Sequence, residues 1–163
     1  MGQQQLLLLV LTVVIVGLGV VVGIEAFEEN SFRAKQDLYT SEAVTLAAEV
    51  VGWQIKPSIL GGNGGRADFS GLGMASIGRE ETGVDGGSYF ERDGNRYTLN
   101  GETAGRPLVT ARPSAPERGD VLVEVALWGA DPGCWATRYR YYDGADFADP
   151  TDDLDNPGDC SWE

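Results

Sequence analysis

The chain carries one long run of apolar residues, at positions 6–24, and its hydrophobic pattern changes twice after that. The run has nineteen residues without a charge, and Thr12 is its only polar side chain. At a rise of about 1.5 Å per residue, a helix of this length spans roughly 28 Å, close to the hydrocarbon thickness of a bilayer. A cleaved secretory signal would have a shorter apolar core, a basic segment before it and a small-residue cleavage site after it. We therefore predict a membrane-spanning helix that stays on the protein.

Residues 25–56 have the pattern of an amphipathic helix that continues the apolar run. Between residues 25 and 54 there is no proline and one glycine, Gly52. The residues that recur there at helical spacing form two sets: Ala34, Leu38, Thr45 and Ala48, and Ala43, Leu46, Val50 and Trp53. Lys56 should end the helix, because the residue before Pro57 is pushed out of helical geometry. We predict one helix over about residues 6–55, roughly 75 Å long, whose second half enters a domain core.

Residues 57–87 are rich in glycine and are predicted to be a connecting loop with at most one short element. The stretch lacks the Lys-Ser/Thr ending and the following helix that a phosphate-binding loop needs. We therefore interpret it as a surface loop.

From residue 88 onward the apolar residues alternate with a period of two. The strands predicted from this alternation lie at residues 88–92, 96–100, 107–112, 121–127 and 137–142. In the last strand, Tyr139 and Tyr141 are expected on one face and Arg138 and Arg140 on the other. Short spacings with no helix between the strands predict an antiparallel sheet of about four to five strands. Its apolar face needs the second half of the long helix as a cover, which makes the fold class α+β.

Cys134 and Cys160 are the two cysteines of the chain. In a domain outside the cytoplasm a disulfide between them is the default, and two unrelated buried thiols are the alternative. The bond would close a ring of about 27 residues, worth about 3–4 kcal/mol on the chain-entropy model. It would also hold residues 143–163, which contain eight acids and no base and are predicted to form a loop.

The charge of the chain excludes some function classes. The net charge is −13 and there is no histidine, so we expect no nucleic-acid binding, which needs a basic face. The commonest general base and metal ligand is missing, and the carboxylates have no defined catalytic partner. We therefore expect no enzyme activity, no catalytic residues and no obligatory cofactor.

The acidic tail offers one candidate metal site. Asp149, Asp152, Asp153 and Asp155 are candidate calcium ligands, since calcium takes six to eight oxygens in flexible geometry. Residues 153–158 are similar to part of an EF-hand loop, but they lack the glutamate that closes such a loop. The alternative interpretation is a solvated acidic surface.

Four tryptophans allow two interpretations. Trp53, Trp128, Trp135 and Trp162 could form a ligand platform, or they pack in the core or between subunits.

The order of these segments along the whole chain resembles a type IV pilin. Gly2 followed by Gln3 is similar to a prepilin peptidase site, which implies a residual leader at residues 1–2 and a methylated Gln3 at the mature N-terminus. The resemblance further implies a filament-core helix at residues 3–24, continued amphipathically over residues 25–56. It equates residues 57–87 with the family's αβ-loop. The globular sheet domain is then residues 88–163, with residues 134–160 as its disulfide-bounded C-terminal region.

A pilin-like chain is expected to be a structural subunit that polymerises into an extracellular filament. The residues expected to pack in the filament core are Leu6, Leu9, Val13, Val16, Val20 and Ile24. The implied partners are copies of the chain itself, prepilin peptidase, and an inner-membrane assembly machinery with a motor ATPase. Before assembly the chain would span the inner membrane once, with its C-terminal domain outside the cytoplasm; afterwards it would lie at the cell surface.

Three glycines lie within the apolar run. Each costs about 1 kcal/mol against alanine in a helix. Gly17, Gly19 and Gly23 are therefore candidates for a segment that melts and extends in an assembled fibre, as helices of this family do. The alternative is a close-packing face between helices.

The chain departs from the family pattern near its start. The family usually has Phe or Met after the cut and Glu at the fifth mature position, where this chain has Gln3 and Leu7. The basic leader that is usual in the family is also missing. Either the leader is reduced to residues 1–2, or Met1 is not the original start of translation. A divergent bacterial pilin fits the residues best. The alternatives are a pseudopilin of a type II secretion-like system and a single-span, membrane-anchored binding domain.

Overall fold

A computed structural model describes residues 2–101, 106–148, 154–158 and 160–162. The chain divides into two compact units, Met1–Lys35 and Gln36–Glu163. The described part of the first unit is entirely helical, and the second unit holds the end of the same helix and the whole sheet.

Helix α1 (Gly2–Ile55) has 54 residues and confirms the predicted long helix, starting four residues before the predicted position. Its last backbone bond runs from the amide of Lys56 to the carbonyl oxygen of Gly52, at 3.2 Å. Pro57 follows directly, so the expected reason for the helix end holds.

One face of α1 is buried in the second unit. Its buried residues are Tyr39, Ala43, Leu46, Ala47, Val50, Trp53 and Gln54. Of the two sets that recur at helical spacing, the set beginning at Ala43 therefore faces the core. Leu38, Thr45 and Ala48 from the other set are exposed.

The described residues form six strands in one antiparallel sheet, ordered as they occur in the chain. The strands are β1 (Gly83–Val84), β2 (Ser88–Arg92), β3 (Asn95–Asn100), β4 (Leu108–Pro113), β5 (Val121–Leu127) and β6 (Trp135–Tyr141). Each strand pairs with the next, so all connections join neighbours. The α+β class is thus confirmed, with α1 packed against the sheet.

The predicted number of four to five strands is too low. The additional strand is β1, which lies inside the stretch predicted to be a loop at residues 57–87. It has only two residues, Gly83 and Val84, paired with Tyr89 and Ser88 of β2. Two residues cannot show an alternating pattern, so this strand leaves no periodic signal in the sequence. The bounds of β3, β4 and β6 differ from the predicted ones by one or two residues at their ends.

The helix covers one face of the sheet, here called the inner face. The hydroxyl of Tyr39 donates to Oδ1 of Asn95 at the start of β3, at 2.9 Å. The hydroxyls of Thr40 and Tyr139 lie 3.4 Å apart. Since residues paired across antiparallel strands share a face, the register from Tyr97 through Ala111 to Val123 places these side chains under the helix. All three are buried.

The opposite, outer face of the sheet is covered by the C-terminal residues. Arg140 on β6 donates to the carbonyl oxygens of Phe147 and Ala148, at 2.7 and 2.9 Å. Arg106 donates to the carbonyl oxygen of Leu154, at 2.8 Å. Phe147 and Leu154 are both buried, so the second face also contributes to the core.

Candidate functional site

The apolar side chains at positions 6–24 are exposed in the structure, with no other described part of the chain packed against them. Their Leu, Ile and Val side chains are between 50% and 69% exposed. Within the described ranges, α1 is the one helix that is long and apolar enough to cross a membrane. Exposing this much apolar surface to water is unfavourable, so these residues need lipid or protein around them.

The predicted core-packing residues share one side of this bare segment. They are spaced three or four residues apart, which places them along a single helical face. The set is Leu6, Leu9, Val13, Val16, Val20 and Ile24, each more than half exposed.

The three glycines of the run lie within the unbroken helix. A Cβ added at Gly17, Gly19 or Gly23 would meet nothing within 4 Å in this chain. Gly19 and Gly23 are one turn apart, so their bare backbone offers a close approach to another helix. Melting of this segment in a fibre stays a prediction.

Thr12, the polar residue of the run, is satisfied by the helix itself. Its hydroxyl lies 2.9 Å from the carbonyl oxygen of Leu8 and 2.8 Å from that of Leu9. This removes the cost of placing an unpaired hydroxyl in an apolar medium.

The N-terminal residues of the predicted peptidase site begin the helix. Gly2 is the first helical residue and Gln3 follows, both exposed. Met1 lies outside the described residues. Leu7, at the fifth position after the predicted cut, is exposed like its neighbours.

The helix becomes charged directly after the apolar run. Glu25, Glu28 and Glu29 are exposed, and Arg33 forms an ion pair with Glu29 one turn away, at 2.5 Å. Phe27 stands among these acids with 75% of its surface exposed.

An ion pair between helix and loop holds the glycine-rich segment on α1. Arg79 donates through Nε and Nη2 to the two carboxylate oxygens of Glu49, at 2.9 and 2.7 Å. These bonds raise the pKa of Arg79 above its usual value. Paired donation of this kind gives a fixed geometry, so the loop that follows the helix is held in place.

The outer face of the sheet contains a buried ion cluster that was not among the predicted features. Glu124 in the middle of β5 is only 5% exposed, and it accepts a bond from Nε of Arg138 at 2.7 Å. Nη1 of Arg140 lies 3.6 Å from its other oxygen. The sequence signal for this cluster is Glu124, a lone acid inside an apolar strand, followed by Arg138 and Arg140 at alternate positions of the next strand.

Cys134 and Cys160 form a disulfide, with their Cα atoms 5.7 Å apart. Trp162, two residues after Cys160, packs near the C-terminal end of α1. The ring of Trp162 lies 4.9 Å from that of Phe69, which in turn lies 6.4 Å from Trp53 on α1. The predicted bond thus ties the C-terminal loop to the rest of the fold.

The structure assigns packing contacts to the tryptophans. Trp53 is buried beside Phe69, and Trp135 donates its indole N–H to the carbonyl oxygen of Gly129, at 3.1 Å. Arg106 stacks over Trp128, 4.5 Å from the ring centroid. These contacts favour the packing interpretation over a ligand platform.

The candidate calcium ligands fall mostly outside the part of the chain that the structure describes. Asp149, Asp152 and Asp153 lie outside the described residues, and Asp155 is exposed. Among the residues that the structure does describe, no three acids, cysteines or histidines come close enough to hold a metal ion.

Comparisons with protein-family models, with curated proteins and with solved structures find no match to this chain.

Proposed function

We propose that this chain is a structural subunit of an extracellular filament of the type IV pilus kind, and that copies assemble through residues 6–24. The observation that carries the proposal is the continuity of α1. The helix that is bare and apolar in the first unit is, from Tyr39 to Gln54, the helix buried under the sheet in the second. A plain membrane anchor normally ends in a flexible linker, and here the chain has none between residues 24 and 55.

The physical chemistry of the bare segment supports a subunit with two environments. In lipid, its backbone is satisfied internally and its side chains are solvated by hydrocarbon. Against copies of itself, the same side chains are covered equally well. Moving the helix from lipid to fibre therefore gains little from the hydrophobic effect, which is why assembly would need a motor ATPase in the inner membrane.

The processing steps follow from the same proposal. Prepilin peptidase would cut after Gly2, and Gln3 would become the methylated N-terminus. Before assembly the chain would span the inner membrane once, with the sheet domain on the oxidising side where the Cys134–Cys160 bond can form.

One observation favours a second candidate function. Leu7 offers no charge to the N-terminus of a neighbouring subunit, so the pairing attributed to pilin assembly has no counterpart here. A single-span, membrane-anchored binding domain would not need that pairing. A pseudopilin of a secretion system remains a variant of the first proposal.

Electron microscopy of sheared surface material, with an antibody to the sheet domain, separates the candidates. We expect labelled fibres, and mass spectrometry of their subunits should give a chain that begins at Gln3. A Gly2→Leu variant should keep its first two residues, stay in the membrane fraction and form no fibres. Wild-type chain found only as a membrane-bound monomer would contradict the filament and favour the anchored domain.

A further inference from the structure

From Leu38 onward, the outward side of α1 carries no exposed charged residue, and the exposed Asp37 stands just before it. Its exposed residues from position 38 onward are Leu38, Ser41, Val44, Thr45, Ala48, Gly52 and Ile55. The two acids in this stretch, Glu42 and Glu49, are half-buried, and Glu49 is engaged by Arg79. A helix face that meets water normally carries charged or strongly polar residues. This face, defined by residues 38–48, therefore has the composition of a contact surface.

A second exposed apolar feature follows the helix. The short turn Ser58–Leu60 presents Ile59 and Leu60, which are 91% and 62% exposed. We call these two residues the knob. An aliphatic side chain this exposed is costly in water.

The knob sits on a well-bonded loop. Backbone amides of Gly62, Asn63 and Gly64 donate to carbonyl oxygens of Pro57, Trp53 and Lys56, at 3.2, 3.0 and 2.9 Å. Because the loop is closed by these bonds onto the end of α1, the knob cannot be covered by folding back without breaking them.

We propose that the knob of one copy docks on the helix face, residues 38–48, of a neighbouring copy in the filament. This inference rests on the proposed function and names a contact within it. The face can admit an aliphatic residue because Ser41, Thr45 and Ala48 are short, so the knob can reach close to the helix backbone.

We assign a second copy of the chain as the partner because the helix face and the knob lie at different positions along the axis of α1. From Thr45 to Ile55 the helix rises about 15 Å, and the knob follows beyond Ile55. Two parallel copies staggered by roughly this distance bring the knob of one against the face of the other. Such a contact joins unlike surfaces and repeats without closing, as a fibre requires.

Charge complementarity favours the same pairing. Copies of a chain with net charge −13 repel one another over most of their surfaces. Lys56, one of two lysines in the chain, is exposed three residues before Ile59, whereas the face is bordered by exposed Asp37 and by Glu42. Docking therefore places a base beside acids.

Cysteine cross-linking in intact fibres tests the contact. The full-length Thr45→Cys/Ile59→Cys variant is assembled and oxidised, and its subunits are separated on a non-reducing gel. We expect a ladder of dimers, trimers and higher species. Both native cysteines are held in the Cys134–Cys160 bond, so they do not compete.

The matched control is Thr45→Cys/Val84→Cys, which moves the second cysteine to β1, where Val84 is also largely exposed. It should give no ladder. The Ile59→Asp variant provides an independent test. It should lower the mass of fibres at least tenfold, while the amount of chain in the membrane fraction and the unfolding midpoint stay unchanged. The conservative variant Ile59→Val should assemble normally.

The outcomes separate this inference from the proposed function. Fibres of the double variant without a ladder, or normal fibre mass for Ile59→Asp, would overturn the contact and leave the filament standing. A dimer formed by Thr45→Cys alone would also overturn it, since two equal helix faces would then be in contact. Wild-type chain that forms no fibres would overturn both.

Discussion

Glu124 and Arg138 form a cross-strand ion pair inside the outer face of the sheet. They are direct partners in the β5–β6 register, and Nε of Arg138 donates to Oε2 of Glu124 at 2.7 Å. Arg140 lies two residues further along β6 and has its own bonds to the carbonyl oxygens of Phe147 and Ala148. The pair therefore stands at the point where the sheet meets its C-terminal cover.

Replacing Glu124 with alanine should destabilise the chain strongly. Removing one member of a buried ion pair leaves the other charge uncompensated, which costs about 3–5 kcal/mol. We expect the loss in the free energy of unfolding of detergent-solubilised chain, measured by chemical denaturation. Glu117→Ala removes an exposed acid from the segment between β4 and β5 and should change the stability by no more than about 0.5 kcal/mol. Equal effects of the two substitutions would show that the buried ion pair contributes no more to the free energy of unfolding than an exposed acid does.

The disulfide should contribute about 3–4 kcal/mol, because it restricts a ring of about 27 residues in the unfolded chain. The Cys134→Ser/Cys160→Ser variant should lose this amount in the free energy of unfolding, measured by denaturation with urea. A reducing agent should lower the stability of the wild-type chain equally and leave the variant unchanged. An unaltered wild-type midpoint under reduction would contradict the prediction.

Tyr39 should make the stability depend on pH in the alkaline range. Burial, with the charge of Asp120 and neighbouring Tyr97 as smaller causes, raises the pKa of Tyr39 from 10.0 to about 12. The folded state thus favours the neutral phenol, and its contribution is complete below pH 10 and lost as the pH rises toward 12. At pH 11 the loss should be about 1.4 kcal/mol.

Tyr39→Phe is the matched variant for this effect. At neutral pH it lacks the bond to Asn95 and should be less stable than wild type by about 1 kcal/mol. At pH 11 this difference should vanish or reverse, because phenylalanine cannot ionise. Denaturation curves of both proteins at pH 7, 10 and 11 measure it. A difference that stays constant from pH 7 to pH 11 would contradict the assigned pKa.

The large elements could be predicted because their causes are local. The apolar run and the absence of proline before Pro57 dictate a long helix, and alternation over five to seven residues dictates β2 to β6. The core face of the helix was harder to predict. The sets beginning at Ala34 and Ala43 are both uncharged and helically spaced, and only the position of the sheet decides which is buried.

The remaining features depend on contacts between residues far apart in sequence. The two residues of β1 pair only because Tyr89 and Ser88 are already held in β2. Likewise, Glu124 in β5 is tolerable only because β6 supplies Arg138 across the ladder. The segment of β1 carries no signal of its own, and the lone acid in β5 can be interpreted only together with the arginines of β6.

Two glycines at the end of α1 should respond oppositely to the same substitution. A Cβ at Gly62 would lie 2.2 Å from the carbonyl oxygen of Lys56, closer than any real contact, so the loop that carries Ile59 must shift. Gly62→Ala should therefore destabilise the chain by at least about 1 kcal/mol. A Cβ at Gly52, inside the helix, would meet nothing within 4 Å, and Gly52→Ala should stabilise the chain by about 1 kcal/mol through helix propensity. Denaturation of the two variants beside wild type measures the sign of each change in the free energy of unfolding.

The Gly62→Ala substitution should also affect the contact between copies. Because Lys56 lies close to the knob in the chain, Gly62→Ala should reduce cross-linking between positions 45 and 59. A stable variant with an intact ladder would show that the loop geometry does not control the contact.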